Sequence, residues 1–283
     1  IGFDASFADG RINIAFDYFD KRTSDLLLNS NVPGYSGFTT VTRNIGEVRN
    51  SGLEFAWNSM NITTNSGFSW TTDFNISTIK NEITRLEQDG ELIGTTNILK
   101  EGYPLGTFNL IRWEGVDPQT GNSIFTDKND DGAINSGDAS IIEENGKALT
   151  VWPDFFGGMT NTFRFKGLEA SVFLQFSKGN HLWNHSRYAQ EQVGWSFDFG
   201  GFFLPYGNNT RRVIEGRWKK PGDQTDIPRA GLGHVFDSEG NKISTYQNWR
   251  EDSDQWMEDA SYLRVKTVEL AYNLPASLLT KIR

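Results

Sequence analysis

The sequence predicts an all-β chain: an antiparallel transmembrane β-barrel fragment of about seven strands, cut from a larger barrel. Three observations predict it. Apolar and polar residues alternate strictly in segments of about ten residues, and a strand, with its period of two, then carries one greasy and one polar face. The links between these segments are alternately very short and very long, the end-to-end polarity of outer-membrane barrels. No run of eighteen apolar residues could form a membrane helix, whereas a barrel needs only every second residue to face lipid.

The segments follow in order. Ile1, Phe3, Ala5 and Phe7 alternate with Gly2, Asp4, Ser6 and Ala8, and Asp9-Gly10 is a two-residue hairpin turn. Ile12, Ile14, Phe16 and Tyr18 continue on one face, and a long connector runs through Pro33-Gly34 to about Gly46. Leu53, Phe55 and Trp57 oppose Glu54, Ala56 and Asn58. A short link near Asn61–Asn65 leads to Phe68, Trp70, Phe74 and Ile76, interleaved with Ser69, Thr71, Asp73 and Asn75. After about residues 80–153, Phe155, Met159, Phe163 and Phe165 alternate with Thr160, Thr162 and Arg164. Lys166-Gly167 turns the chain into Leu168, Ala170, Val172, Leu174 and Phe176. A second long stretch, 179–258, precedes Leu263, Val265, Val268, Leu270 and Tyr272, where the apolar phase slips by one and predicts a β-bulge. A ten-residue strand tilted by about 45° spans roughly 23 Å, the height of a barrel's apolar band. A soluble sandwich also alternates, but its apolar faces turn inward and its loops carry no length polarity.

Composition narrows the function. The 283 residues carry 36 acidic and 27 basic side chains, a net charge of −9, which argues against a nucleic-acid partner. Aromatics reach 13 % and cysteine is absent. The mean hydropathy of −0.50 is that of a water-facing chain, as a barrel with half its strand residues polar can also give. Beginning at Ile1, with no signal peptide ahead of it, the chain is expected to be part of a longer product.

Two features carry ligand chemistry. Residues 127–138 match the twelve-residue calcium loop: oxygens at positions 1, 3, 5, 9 and 12 from Asp127, Asn129, Asp131, Asn135 and Asp138, a carbonyl at position 7 from Ala133, and the sharp turn at Gly132. A structural Ca²⁺ stiffening an external loop is expected. Position 12 is Asp in place of the longer Glu, which weakens the site. The segment 179–258 is dense in aromatics, and Trp183, Tyr188, Trp195, Tyr206, Trp218 and Trp249 are candidates for contact with substrate or partner. His181 and His185 stand four apart without a helical period around them, so no zinc site is expected. No nucleophile elbow, phosphate loop or zinc-protease motif occurs, and Glu143-Glu144 reads as a solvated loop pair, so no catalysis is expected.

Several stretches resemble one family. Asn44–Trp57 (NIGEVRNSGLEFAW) is similar to a conserved strand start of the SusC/RagA-like TonB-dependent outer-membrane transporters of Bacteroidetes. Asp17–Leu28, Glu101–Asp138, Arg217–Arg229 and Asp259–Pro275 resemble the same family in the same order. The resemblance implies a late portion, truncated at both ends, of an about 22-stranded barrel closed by a plug. It implies active import of large nutrients, glycans or peptides, across the bacterial outer membrane. A SusD-like surface lipoprotein would form a lid, and the TonB complex would act through a region outside these residues. Residues 80–153, holding the calcium-type loop, and 179–258 would then be extracellular loops, with Asp73, Glu54 and Arg164 lining the lumen. The alternative left open is a soluble, calcium-stabilised carbohydrate-binding β-sandwich.

Overall fold

The computed structural model describes residues 1–31, 40–86, 91–93, 96–191, 196–199, 202–205, 210–230 and 252–274. Strands β1 (Gly2–Phe7), β2 (Ile12–Asn31), β3 (Thr40–Thr63), β4 (Phe68–Thr78) and β5 (Lys80–Leu86) are followed by β6 (Phe155–Phe165), β7 (Leu168–Lys178) and β8 (Tyr262–Tyr272). They form one antiparallel sheet in the order β1-β2-β3-β4-β6-β7-β8, with β5 continuing beyond β4 along the same side of β3. Among the described residues β1 and β8 do not pair, so the sheet is an open arc.

The short turns follow from their residues. Asp9 and Gly10 both take positive φ (56° and 82°), and Arg11 N donates to Ala8 O. This is the twist-matched hairpin geometry that Asp-Gly favours. Lys166 and Gly167 (47° and 87°) do the same between the paired Phe165 and Leu168. The bulge in the last strand lies where the phase slip predicts it: Phe173 faces Thr267, Leu174 faces Val265, and Lys266 is the extra residue.

Register stacks the apolar residues in six cross-strand rows. From the short-turn end the first holds Phe68, Phe165, Leu168 and Tyr272, and the second Trp70, Phe163, Ala170 and Leu270. The fourth row runs Ala5, Ile14, Trp57, Phe74, Met159, Leu174 and Val265; the fifth runs Phe3, Phe16, Phe55, Ile76, Gly157, Phe176 and Leu263. Trp70 stacks on Phe163 at 5.7 Å between centroids. Phe176 lies across Gly157, where a Cβ would come within 2.8 Å of its ring, and stacks on Phe74. These side chains remain exposed instead of packing on a second layer: Leu263, Val268 and Leu270 each keep more than 70 % of their surface open. The sandwich alternative fails on this point, because among the described residues no second sheet covers the apolar face.

The third row departs from the alternation. Ser59, Thr72 and Asn161 interrupt a file that otherwise holds Phe7, Ile12, Val172 and Val268. A register shift between Met60 and Ile62 makes Asn61 the odd residue of a bulge. Ser59 Oγ donates to Asn61 Oδ1 (2.9 Å), Asn61 Nδ2 to Thr72 Oγ1 (2.7 Å), and Thr72 Oγ1 and Trp70 Nε1 to Asn161 Oδ1 (2.8 and 2.9 Å). Polar groups facing hydrocarbon must be satisfied internally, and this chain of bonds does so.

The connector read between Tyr18 and Gly46 needs correction. β2 and β3 stay paired from Leu26↔Gly46 up to Asn31↔Thr40, so most of it is ladder. Apolar alternation marks only strand that faces lipid, and above Tyr18 the outward pairs Asp20↔Ser51 and Arg22↔Arg49 are polar. Pro33-Gly34 lies outside the described residues. Above the row of Tyr18, Leu53, Thr78, Phe155 and Lys178, the outward positions become Asp20, Ser51 and Lys80. Arg49 there forms a two-pronged bond to Asp20 (2.9 and 2.6 Å), and Arg49 and the hydrogen-bonded Asp20 are pushed in opposite directions, the base up and the acid down. That change of chemistry marks the outer edge of the apolar band.

Candidate lumen wall and loop platform

The face opposite the apolar rows is polar. Asn13, Asn58, Asp73 and Thr160 stand in one cross-strand row. Asn58 Nδ2 donates to Asp73 Oδ1 at 2.5 Å, and Asn13 Nδ2 to Asn58 Oδ1 at 3.4 Å. A groove of about 560 Å³ runs along this wall past Asp4, Ser6, Asn13, Asn58, Asp73 and Asn75. Asp17 and Glu54 face one another in the register, and Arg164 binds Glu169 through Nε and Nη2 (2.8 and 3.2 Å). Asp73, Glu54 and Arg164 all lie on this face, opposite the lipid-type rows.

At the other end the two long links fold into one platform. Ile111 bridges to Ser253, Arg112 Nη1 and Trp113 N both donate to Asp254 (2.9 and 2.7 Å), and Arg229 N donates to Gly121 O. Small apolar clusters hold it: Phe108, Leu110 and Ile142 pack with Trp183, and Ile111, Phe125 and Ile134 with Trp113. Helix α1 (His185–Gln190) is capped by Asn184 and helix α2 (Arg211–Gly216) by Thr210. Glu191, its side chain 7 % exposed, accepts from Arg187 (3.1 Å) and Arg212 (2.6 Å). Arg187 also reaches Glu258 (3.0 Å), and Arg212 pairs with Asp226. Glu258 is held below the usual carboxylate range chiefly by its bond from Arg187. Asp259, bonded by the hydroxyl and the backbone N–H of Ser261, is lowered to about 2.

The aromatic candidates divide. Tyr188 is buried against Trp256 and Trp183, and Trp183 donates its Nε1 to Ser253 O. Trp218 packs over Gly121 and donates to Pro118 O (2.9 Å). These three rings are committed to platform packing. Trp195, Tyr206 and Trp249 lie outside the described residues. A short helix does begin at His185, which the sequence pattern missed, but His181 sits on the preceding strand His181–Trp183, so the two imidazoles do not share a helix face.

In the calcium-type loop, Asp127 Oδ1 and Asn129 Oδ1 both accept from Asp131 N (3.3 and 3.1 Å), and Asp127 Oδ2 accepts from Gly132 N (2.7 Å). Gly132 takes φ +78°, the turn its position requires. Asp131 Oδ1 accepts from Ala133 N, and Asn135 Nδ2 donates to Ala133 O. Asp138, almost fully buried, accepts from Lys128 N and Asn135 N (3.0 and 2.8 Å) and so ties the two ends of the loop together. Among the described residues no three acidic or imidazole groups stand close enough to hold an ion.

A one-layer arc with an outward apolar face, a polar inner wall, tight turns at one end and a loop platform at the other is part of an outer-membrane β-barrel. Comparison with known proteins sharpens this. Residues 1–141 match the family described as TonB dependent receptor-like, beta-barrel. TonB-dependent receptor P3 of Formosa agariphila is 29 % identical over 99 % of this chain and 27 % of its own length. TonB-dependent receptor SusC of Bacteroides thetaiotaomicron is 30 % identical over 64 % of this chain and 19 % of its own. The solved RagAB peptide transporter has the same fold, with a TM-score of 0.74 at 22 % identity over 99 % of this chain and 29 % of that one. The chain belongs to the TonB-dependent receptor-like β-barrel family of the bacterial outer membrane, and within it is similar to SusC- and RagA-type members. It spans between 19 % and 29 % of the length of the receptors it matches, all of them TonB-dependent receptors by name.

Proposed function

We propose that the protein containing this arc imports large nutrients, oligosaccharide or peptide, across the outer membrane. A SusD-like surface lipoprotein would serve as the lid, and the TonB complex would supply energy. The observation that carries the reading is the separation of chemistry along and across the sheet: lipid-type rows outside, a hydrogen-bonding wall inside, and a braced platform at the long-loop end where a lid and cargo would meet. The same protein is read as using Ca²⁺ to stiffen its platform. Asp127, Asn129, Asp131, Ala133 through its carbonyl, Asn135 and Asp138 are the hard oxygen donors that such an ion takes. Uptake of fluorescent oligosaccharides and peptides by intact cells tests the transport reading. Uptake should vanish on deleting the gene and on adding an uncoupler, and a SusD-like lipoprotein should co-purify with the full-length protein. Entry that survives both the gene deletion and the uncoupler would overturn it.

A further inference from the structure

One cross-strand row of the inner wall is built from small residues. Ala15 of β2 and Ala56 of β3 stand side by side, followed by Asn75 of β4 and Gly158 of β6. The groove of about 560 Å³ lies over this row, past Ala15, Ala56 and Asn75. Asp17, Glu54 and Ser77 stand along its upper side, and Asn13, Asn58 and Asp73 along its lower side. From β2 to β6 the row crosses three strand spacings, about 14 Å. Its far end is aromatic. The Phe173 ring lies over Gly158, where a Cβ would come within 2.6 Å of it. Phe156, one inner row higher on β6, keeps 43 % of its surface open. Apolar rings presented to water on an otherwise polar wall mark a binding surface.

We propose that Phe156 and Phe173 are specificity-determining residues that hold a neutral oligosaccharide along this groove. The inference rests on the import reading and narrows its cargo. A ring laid flat on glycine offers its other face to the lumen, and that face is electron-rich. A pyranose presents a face of polarised C–H groups that stacks on such a ring, and its hydroxyls point sideways. The flanking carboxylates accept from hydroxyls, and the Asn amides both donate and accept. A peptide fits less well. The groove lies mid-sheet, where the backbone groups are taken by the ladder and no strand can be added. Its floor of Ala15, Ala56 and Gly158 is a shallow trough with no side-chain pocket. Anionic sugars are disfavoured by charge. In the three inner rows from Phe156 to Phe173 the acids are Asp4, Asp17, Glu54 and Asp73, and the base is Arg264, on the edge strand β8.

The test equilibrates the full-length protein in detergent with three labelled pools: neutral gluco-, manno-, galacto- and xylo-oligosaccharides; uronate and sulfated oligosaccharides; and a tryptic peptide digest. Capture from the neutral pool is expected. Phe156→Ala/Phe173→Ala should lower it by about tenfold or more, and Phe156→Tyr/Phe173→Tyr should retain it. Thr162→Ala, lower on the same wall, should leave it unchanged. Heat-modifiable migration confirms that each variant is folded. Binding needs no energised membrane, so a negative result here leaves the import reading to stand or fall on uncoupler-sensitive uptake. Capture confined to the anionic or peptide pool overturns the proposal, as does capture from none of the three. Equal capture of neutral oligosaccharide by the wild type and the double alanine variant overturns it too.

Discussion

Phe74→Arg is the sharpest probe of the outward face. Rows along β4 lie about 6.8 Å apart, and at a tilt of about 45° each step is about 4.8 Å of depth. Six rows then span roughly 24 Å, and the midplane falls between the third and fourth. Phe74, in the fourth row, sits about 2.4 Å from it, and Thr78, in the sixth, about 12 Å. Arginine facing lipid costs about 2–4 kcal/mol at the midplane and about 0–1 kcal/mol near the interface. Phe74 also loses ring contacts with Phe55 and Phe176, at 6.4 and 6.2 Å, each worth about 0.5–1.5 kcal/mol. Phe74→Leu is therefore the control, and the difference between the two variants isolates the charge. The assay is urea unfolding of the full-length protein in liposomes, followed by tryptophan fluorescence and heat-modifiable migration. The reasoning predicts a cost for Phe74→Arg over Phe74→Leu of about 2–4 kcal/mol and a cost for Thr78→Arg below about 1 kcal/mol. Equal costs at the two depths would refute it.

Other outcomes follow from the same geometry. These 283 residues hold no cysteine; in a full-length background freed of any cysteine outside them, Gly222→Cys and Gly167→Cys can be labelled singly on intact cells, and a membrane-impermeant maleimide should reach the first and not the second. Asp127→Ala with Asp131→Ala should weaken ⁴⁵Ca²⁺ binding and raise protease cleavage within 127–138, and unchanged binding and cleavage would remove the ion from the account. Glu191→Ala removes the buried carboxylate shared by Arg187 and Arg212 and leaves them only Glu258 and Asp226, a loss of about 1–3 kcal/mol from the platform, and should speed proteolysis between 179 and 258 without altering barrel migration. Glu258 and Asp259 have depressed folded-state values, so their contribution is complete above the unfolded carboxylate range, near pH 4, and is lost as pH falls through the folded values, about 2 for Asp259. Platform proteolysis should thus be flat from pH 7 to pH 5 and rise only below about pH 4; a rise already at pH 6 would assign it to other groups.

The lipid-facing part of the fold was legible because lipid imposes a period of two on the outward residues. That one constraint located seven strands, the tight turns at Asp9-Gly10 and Lys166-Gly167 and the bulge at Lys266, while the link read near Asn61–Asn65 turns at 64–67, after β3 has run on to Thr63. It could not locate the upper hairpin of β2 and β3, where outward residues such as Asp20 and Ser51 meet water and either face tolerates polarity. It also passed over the third row, since Ser59, Thr72 and Asn161 look like errors in alternation until their mutual hydrogen bonds are seen. For the loops, residue type announced aromatics but not their fate. Trp183, Tyr188 and Trp218 read as a contact surface in the sequence and as platform packing in the structure, because their partners Ser253, Trp256 and Gly121 lie up to about a hundred residues away. The calcium-type loop is the reverse case: its spacing is local, so the sequence alone specifies its turn at Gly132.

Single cysteines placed in turn at positions 69 to 77 of β4, in the full-length protein in its outer membrane, test the central claim most directly. Each would carry an environment-sensitive fluorophore. The account predicts strict alternation: apolar, lipid-quenchable emission at Trp70, Phe74 and Ile76, and aqueous emission at Thr71, Asp73 and Asn75. Emission of one kind at all positions, or alternation in the opposite phase, would contradict it.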